Sequence, residues 1–191
     1  MKKSDIRKEV IVKRRKLSKD DIKNKSDAIF LNIKKYCLNE KNIDTVLLYS
    51  DYNGEVSTEV LYDYFSNKGS IIAYPKILDL KSGIMEFYEI KDKNMLQKSE
   101  LGISEPSESC QKCDAKKGII IVPLVAFDEK CMRIGYGGGF YDRYLEKHSE
   151  LTSIGVAYDF QLYNDFEING FDKRLDYIVT ESKIYGGYIN E

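Results

Sequence analysis

The chain contains no tryptophan, one histidine and three prolines among its 191 residues. The single histidine, His148, lies in a segment rich in charge, so we interpret it as a surface residue and not as a general base. Charged residues make up 32% of the chain but nearly cancel, to a net charge of -1. The molecule as a whole therefore carries no field that selects nucleic acid or a membrane, and any electrostatic recognition must be local.

Long hydrophobic runs are also missing. The first nineteen residues open on lysines and contain no run of seven apolar residues, so they include neither a secretion signal nor a membrane span. We therefore expect a cytoplasmic protein, whose thiols stay reduced. One cysteine pair, Cys110 and Cys113, has the spacing of half a zinc site, but no second pair is suitably spaced. We predict no disulfide and no metal at the cysteines, which are Cys37, Cys110, Cys113 and Cys131.

The hydrophobic content of 42% supports one well-buried core, and we predict a single domain over residues 1–191. Helical periodicity predicts helices over residues 5–16 and 19–38, the second capped by Ser18. A third helix is predicted before Gly69. Residues 91–117 are polar and are interpreted as a long surface connection.

Short apolar runs rich in β-branched residues follow the second helix. Most are continuously apolar and not alternating, which is typical of strands covered on both faces. The sequence therefore predicts an α/β fold with a parallel sheet, and the predicted strands are residues 45–49, 70–74, 118–122, 153–157 and 175–179, with a weaker candidate at 85–90.

A glycine-rich segment is the most informative part of the sequence. Residues 122–145 run from the end of a predicted strand, through four glycines at 135 and 137–139, into a helix. Ligands of parallel sheets bind at the carboxyl ends of strands, and glycines allow backbone N–H groups to approach a phosphate closely. Arg133 and Arg143 could add positive charge. We hypothesise a phosphate site, with an ordinary flexible loop as the alternative; the spacing fits neither the P-loop nor the dinucleotide fingerprint.

The same segment resembles the 5-formyltetrahydrofolate cyclo-ligase family. Residues 122–143 are similar to that family's V-P-G-L-A-F-D and G-x-R-L-G-Y-G-G-G-Y-Y-D-R patterns. Shorter matches occur in the family's order at residues 3–7, 54–58, 74–76, 101–106, 154–161 and 172–176. The resemblance implies a three-layer α/β/α fold with a mainly parallel sheet, of the sugar-phosphate isomerase/CoA transferase-like type.

The resemblance also implies a reaction. The family joins N10 of 5-formyltetrahydrofolate to the formyl carbon at the expense of ATP, giving 5,10-methenyltetrahydrofolate, ADP and phosphate. ATP and Mg²⁺ are the implied cofactors, and the substrate is a folate with or without a polyglutamate tail. We expect a monomer with no nucleic-acid or membrane partner.

Site residues follow from the matched positions. ATP is implied to contact Lys3, Arg7, Arg133, Ile134, Gly135, Tyr136, Gly137, Gly138, Gly139, Phe140 and Tyr141. The folate is implied to contact Tyr49, Glu55, Tyr136, Gly137, Gly138, Gly139 and Phe140, and Tyr74 is a further candidate for an aromatic wall. The implied catalytic residues are Arg133, Tyr141 and Asp142, and the implied magnesium ligands are Asp142 and Asp172.

Each of these assignments has an alternative when the residues are taken alone. Lys3 and Arg7 share a helix face, but a basic N-terminus is also typical of a solvated face or of an arm that binds RNA or DNA. Asp142 and Asp172 could be helix-end or turn acids. The fold also hosts sugar-phosphate isomerases and acyl-CoA transferases, which need no ATP.

Five positions depart from the family pattern. Leu124 and Cys131 replace glycines, Ser57 replaces aspartate and Ser104 replaces proline. Phe171 stands where histidine usually precedes the metal-binding aspartate, which leaves the carboxylate of Asp172 but changes its neighbour.

Overall fold

The computed structural model describes residues 1–37, 43–100 and 102–187. Its helices are α1 (Lys3–Arg14), α2 (Lys19–Asn32), α3 (Glu59–Asn67) and α4 (Phe140–Lys147). Helix α1 begins and ends two residues earlier than predicted. Helix α2 begins as predicted and continues into a π-helical turn, Ile33–Cys37; the predicted end at Leu38 lies outside the described residues. None of the described helices has the length and apolar character needed to cross a bilayer.

The predicted helix signals are present in the structure. The Ser18 Oγ accepts a hydrogen bond from the Asp21 N–H at 3.0 Å, and the Asp21 carboxylate accepts one from the Ser18 N–H at 3.0 Å, which forms a capping box. After α3, Gly69 adopts φ +75°, a left-handed conformation that glycine adopts without steric cost. Both predicted boundaries are confirmed.

The strands are, in chain order, β1 (Thr45–Leu47), β2 (Ile71–Asp79), β3 (Ile84–Glu89), β4 (Leu96–Lys98), β5 (Ser104–Pro106), β6 (Ile119–Pro123), β7 (Ala126–Phe127), β8 (Arg133–Ile134), β9 (Thr152–Val156), β10 (Tyr177–Val179) and β11 (Ile184–Gly186). Seven of them form one sheet in the order β11-β10-β9-β6-β1-β2-β3. The five central strands pair in parallel, and β3 and β11 pair antiparallel at the edges. The five predicted strands are these five parallel ones, so the α/β fold with a mainly parallel sheet is confirmed.

Helices cover both faces of this sheet. Residues of α2 and α3, such as Ile29 and Phe65, pack with Val46 and Ile121 on one face. Tyr144 of α4 packs with side chains of the other face, among them Phe87 of β3. The continuous apolar runs of the strands follow from this burial on both sides.

Two short antiparallel pairs, β4-β5 and β7-β8, lie outside the main sheet. The β4-β5 pair lies within residues 91–117, and Cys110, Cys113 and Ala115 in the same stretch are buried. The prediction of a surface connection there was therefore wrong, because the segment is folded and partly buried despite its polar composition.

The β7-β8 pair positions helix α1. Ile6 and Val10 of α1 are fully buried against Val125, Ala126 and Ile134 in a third, small core cluster. This contact brings the N-terminal helix to the segment that begins at the end of β6. The strand order reverses here, since β2 lies on one side of β1 and β6 on the other, and such a switch point is where parallel sheets open a ligand crevice.

Candidate functional site

The glycine loop, Gly135–Gly139, connects β8 to α4. Gly137 has φ +109° and Gly139, the N-cap residue of α4, has φ +66°. Side chains are strained in both conformations. A Cβ on Gly139 would also lie 2.8 Å from a guanidinium nitrogen of Arg143. The loop therefore needs glycine at these positions, as expected if backbone N–H groups bind a phosphate.

Two basic residues of α1 contact this region. The Arg7 Nε donates to the carbonyl of Gly135 at 2.8 Å, and the Lys3 Nζ donates to Asp172 Oδ2 at 2.6 Å. Both side chains thus turn inward toward the site, as their shared helix face predicts, and are not part of a solvated face. Their contact with ATP stays a prediction.

The two predicted metal ligands lie in one network with Arg133. The Arg133 guanidinium is 5% exposed and donates to Asp142 Oδ1 at 2.8 Å and to the carbonyl of Lys173 at 2.7 Å. Asp142 Oδ1 also accepts from the Lys173 N–H at 3.0 Å. Asp172 precedes Lys173 in the chain. Its Oδ2 accepts a hydrogen bond from the Lys3 Nζ and another, at 2.7 Å, from the Asn169 N–H. The structure therefore brings Asp142 and Asp172 together.

Charge in this network is compensated. Burial lowers the pKa of Arg133, and the Asp142 carboxylate opposes that effect. Burial raises the pKa of Asp172, but the bonds from Lys3 and Asn169 and the charges of Lys3 and Arg133 outweigh it and lower the pKa overall. Asp172 is therefore ionised at neutral pH.

A second network includes Tyr136 of the glycine loop. Glu55, which follows β1, is 6% exposed; its Oε1 accepts from the Tyr136 hydroxyl at 2.6 Å and its Oε2 from the Tyr52 N–H at 2.9 Å. Arg14 of α1, 2% exposed, has its Nη1 3.8 Å from Glu55 Oε1 and also bonds the Tyr136 hydroxyl and the Leu124 carbonyl. One tyrosine of the glycine loop thus joins the acid and the arginine.

Comparisons with known proteins show the family of this chain. The model of the 5-formyltetrahydrofolate cyclo-ligase family matches residues 1–181. The chain belongs to this family. The 5-formyltetrahydrofolate cyclo-ligase of Escherichia coli strain K12 is 31% identical over 145 residues, which cover 74% of this chain and 80% of that protein.

Two solved structures have the same fold. The NMR structure of the Aquifex aeolicus 5,10-methenyltetrahydrofolate synthetase is 30% identical, with a TM-score of 0.82, and the match covers 99% of this chain and 94% of that one. A 5,10-methenyltetrahydrofolate synthetase structure from Mycoplasma pneumoniae, 24% identical with a TM-score of 0.76 and coverage of 95% and 99%, supports the fold alone. The chain is thus a member of a ligase family, as the resemblance implied.

The departures from the cyclo-ligase pattern have structural explanations in two cases. Cys131 has φ +64°, which accounts for the family's glycine at this turn. Leu124 is fully buried, and its carbonyl accepts bonds from Arg14 and Gln161, so the extra side chain joins the core and the backbone keeps a polar role. Phe171 is 84% exposed, and nothing in the structure explains it.

Several aromatic residues of the cyclo-ligase match lie in the core. Tyr49 is 3% exposed and its hydroxyl donates to the Val56 carbonyl at 2.6 Å, and Tyr74 packs in the same core cluster. Phe140 packs against the cluster on the opposite face of the sheet. The predicted aromatic wall therefore does not form one continuous surface from these three rings, and the contact of Tyr49 and Phe140 with folate stays a prediction.

Arg143 and His148 differ from their predicted settings. Arg143 donates to the Gly83 carbonyl at 3.0 Å and to the Gly138 carbonyl, so it ties the loop to the β2-β3 hairpin and does not face a phosphate with a free guanidinium. His148 is not fully on the surface, because its ring stacks on Tyr144 with 4.2 Å between the centroids.

The three cysteines whose side chains the structure describes are buried. Cys110 and Cys113 pack in core clusters on opposite faces of the sheet, and both, like Cys131, are free thiols. Burial raises the pKa of Cys113 to about 11. Within residues 1–37, 43–100 and 102–187, no group of three or more His, Cys, Asp or Glu side chains could hold a metal; the absence of a metal at the cysteine pair stays a prediction.

Proposed function

We propose that this chain catalyses the ATP-dependent cyclisation of 5-formyltetrahydrofolate to 5,10-methenyltetrahydrofolate, with release of ADP and phosphate. The observation that carries the proposal is the position of the glycine loop between two networks. One network supplies cations suited to phosphate and carboxylates suited to Mg²⁺, and the other contains the Glu55–Tyr136 pair. A phosphoryl donor and a folate can therefore meet at one loop.

The chemistry explains why both sides are needed. A formyl amide loses its oxygen poorly, so the oxygen first attacks the γ-phosphorus of ATP and ADP departs. N10 then attacks the formyl carbon, phosphate leaves with the former formyl oxygen, and the N10 proton passes to solvent. Phosphoryl transfer of this kind needs positioning and charge neutralisation more than a protein nucleophile.

On the phosphate side, Lys3 and Arg7 of α1 and the loop from Arg133 to Tyr141 would bind ATP. Arg133 is held in place by Asp142 and the Lys173 carbonyl, so its guanidinium cannot swing away. Tyr141 is partly buried, and desolvation raises the pKa of its phenol, so it stays protonated and can donate a hydrogen bond to a phosphate oxygen.

The carboxylates fit a magnesium ion. Asp142 and Asp172 each use one oxygen in the network, and their other oxygens, Oδ2 and Oδ1, accept no hydrogen bond from the described residues. Mg²⁺ usually takes only one or two protein carboxylates and fills its shell with phosphate and water. When bound, it would neutralise charge that develops on the phosphates.

On the folate side, Glu55 would accept hydrogen bonds from the donor edge of the pterin ring, beside the backbone of Gly137–Gly139. Burial raises the pKa of Glu55 above its usual value, and the Tyr136 hydroxyl, the charge of Arg14 and the Tyr52 N–H offset this only in part. The carboxylate therefore depends on its partners to stay ionised.

We infer further that the enzyme acts in the cytoplasm as a monomer, on folate with or without a polyglutamate tail. The near-zero net charge supports a partner that is small and locally recognised.

A turnover assay tests the proposal. Purified protein with Mg-ATP and 5-formyltetrahydrofolate should develop the near-ultraviolet absorbance of the methenyl product, and omission of either ATP or Mg²⁺ should abolish the change. Folded protein that shows no absorbance change with all components present would refute the proposed function. Absence of ATP binding by calorimetry would instead favour chemistry of the isomerase or CoA transferase type.

A further inference from the structure

Arg14, the last residue of α1, is the most deeply buried arginine among the described residues, although its sequence neighbours Arg15 and Lys16 are exposed. A buried guanidinium is costly unless its donors are paired. Its Nη1 contacts the Tyr136 hydroxyl and Glu55, and its Nη2 the Leu124 carbonyl. These partners come from three separate segments of the chain, and two of them line the proposed folate side of the site.

The backbone at Arg14 also lies close to the backbone of the segment that carries Glu55. A Cβ on Gly54, the residue before Glu55, would lie 3.1 Å from the Arg14 carbonyl oxygen, and Gly54 has φ +71°. Only glycine allows this approach without strain. The end of α1 and the Glu55 segment therefore pack together through backbone as well as through side chains.

Arg14 is more than a packing element. Its Nε is buried and has no hydrogen-bond partner among the described residues. An arginine selected for stability alone would not leave this donor unpaired. Stability would be served as well by an apolar residue of similar volume. The charge is explained if it holds the Glu55 carboxylate and Tyr136 in place.

We propose that Arg14 is a positioning residue for the folate side of the site, where it fixes the Glu55 carboxylate and the Tyr136 ring from helix α1. This inference rests on the proposed function. Arg14 touches neither Lys3, Arg7 nor the Asp142 network in any described contact, and its one hydrogen bond to the glycine loop is with the Tyr136 hydroxyl. Its loss should therefore weaken folate binding much more than ATP binding.

The variants Arg14→Gln and Arg14→Lys test this role, with Arg15→Gln as the matched control at an exposed arginine. In Arg14→Gln, KM for 5-formyltetrahydrofolate and its calorimetric Kd should rise about 10- to 100-fold, as expected for loss of a buried charged contact. KM and Kd for ATP should change less than about threefold. Arg14→Lys keeps the charge but not the forked geometry, and should recover part of the folate affinity. Arg15→Gln should leave all four constants unchanged.

A double-mutant cycle with Glu55→Gln shows whether Arg14 acts through the acid. The folate effects of Arg14→Gln and Glu55→Gln should be strongly non-additive, because the second change removes the group that Arg14 positions. Additive effects, or equal rises in KM for folate and ATP, would overturn the inference. If Arg14→Gln does not fold, Arg14→Lys carries the same comparison. Absence of turnover in the unaltered protein would refute the proposed function itself, whereas unselective effects of Arg14 in an active enzyme refute only this inference.

Discussion

Asp142 uses one carboxylate oxygen for Arg133 and the Lys173 N–H and leaves the other for a ligand. We predict that Asp142→Asn lowers kcat about a hundredfold or more, because the amide oxygen can still accept these bonds but lacks the negative charge that would hold Mg²⁺ at the phosphates. Steady-state kinetics below the unfolding temperature measure the effect. Glu146→Gln, an exposed acid one turn along α4, is the control and should stay within about twofold of the unaltered rate. Equal rates for both variants would remove Asp142 from the site.

Cys131 combines a left-handed backbone with complete burial. Its Sγ would lie 2.7 Å from a Cβ placed on Gly186, so the side chain has no room to grow. We predict that Cys131→Val destabilises the protein by about 2 kcal/mol, from a β-branched residue at positive φ and from overpacking.

The matched change Cys131→Gly should stay within about 1 kcal/mol of the unaltered protein, because relief of strain offsets the lost side chain. Urea unfolding measures both free energies. Comparable losses of unfolding free energy in the two variants would show that the family's glycine is not needed for the backbone conformation of this turn.

Prediction of site residues from the sequence succeeded where the residues belong to a motif and failed where a residue's role depends on its burial in the fold. The glycines, Asp142 and Asp172 lie in recognisable patterns, and the structure brings them together. Arg14 has no such signal, because it is one of many basic residues near the N-terminus and nothing local distinguishes it from exposed Arg15. Only the packing of Ile6 and Val10 of α1 on the β7-β8 pair, a tertiary event, buries it.

At the scale of elements, the glycine loop depends on backbone conformation more than on space. A Cβ on Gly137 would meet only Arg7, at 3.8 Å, so Gly137→Ala should fit but force the backbone out of φ +109°. We predict a fall in kcat/KM of about tenfold to a hundredfold from the misplaced loop.

Gly69→Ala is the comparison for this effect, because Gly69 also has positive φ and open surroundings but lies at the end of α3. It should lose about 1 kcal/mol of stability and no activity. Kinetics and thermal unfolding of both variants separate the two outcomes. Intact activity in Gly137→Ala would mean that the loop tolerates another conformation during catalysis.

The capping box of α2 predicts a dependence on pH. Hydrogen bonds from the Ser18 side chain and backbone lower the pKa of Asp21, so the box stabilises the fold above the unfolded-state pKa of about 3.9 and loses this contribution as pH falls through the lower folded-state value. Ser18→Ala should therefore lower Tm by about 2–4 °C near neutral pH. The difference should shrink in acid; a Tm difference that is constant from neutral pH to below pH 3 would contradict this account.

Elements differ in how far the sequence predicts them. Most of the five parallel strands contain a continuously apolar run, and all five were predicted, whereas β7 and β8 have two residues each and are too short to give any periodicity. The β4-β5 pair was missed because its residues are polar and its stability comes from pairing and from neighbours. Contacts distant in sequence, and not local propensity, create these elements.

At the scale of the whole molecule, the fold was predictable because alternating strands and helices admit few topologies. The order of strands then places the ends of β1 and β6 side by side, which brings Glu55 to the glycine loop although 81 residues separate Glu55 from Tyr136. The single domain over residues 1–191, the magnesium ligands and the individual substrate contacts stay predictions.

The fate of the formyl oxygen tests the central claim most directly. With 5-formyltetrahydrofolate labelled with ¹⁸O in the formyl group, turnover in unlabelled water with Mg-ATP should place the label in inorganic phosphate, one labelled oxygen per methenyl product. Mass spectrometry of the released phosphate measures the transfer. Unlabelled phosphate, with product formed at the normal rate, would contradict phosphorylation of the formyl oxygen and with it the proposed use of the site.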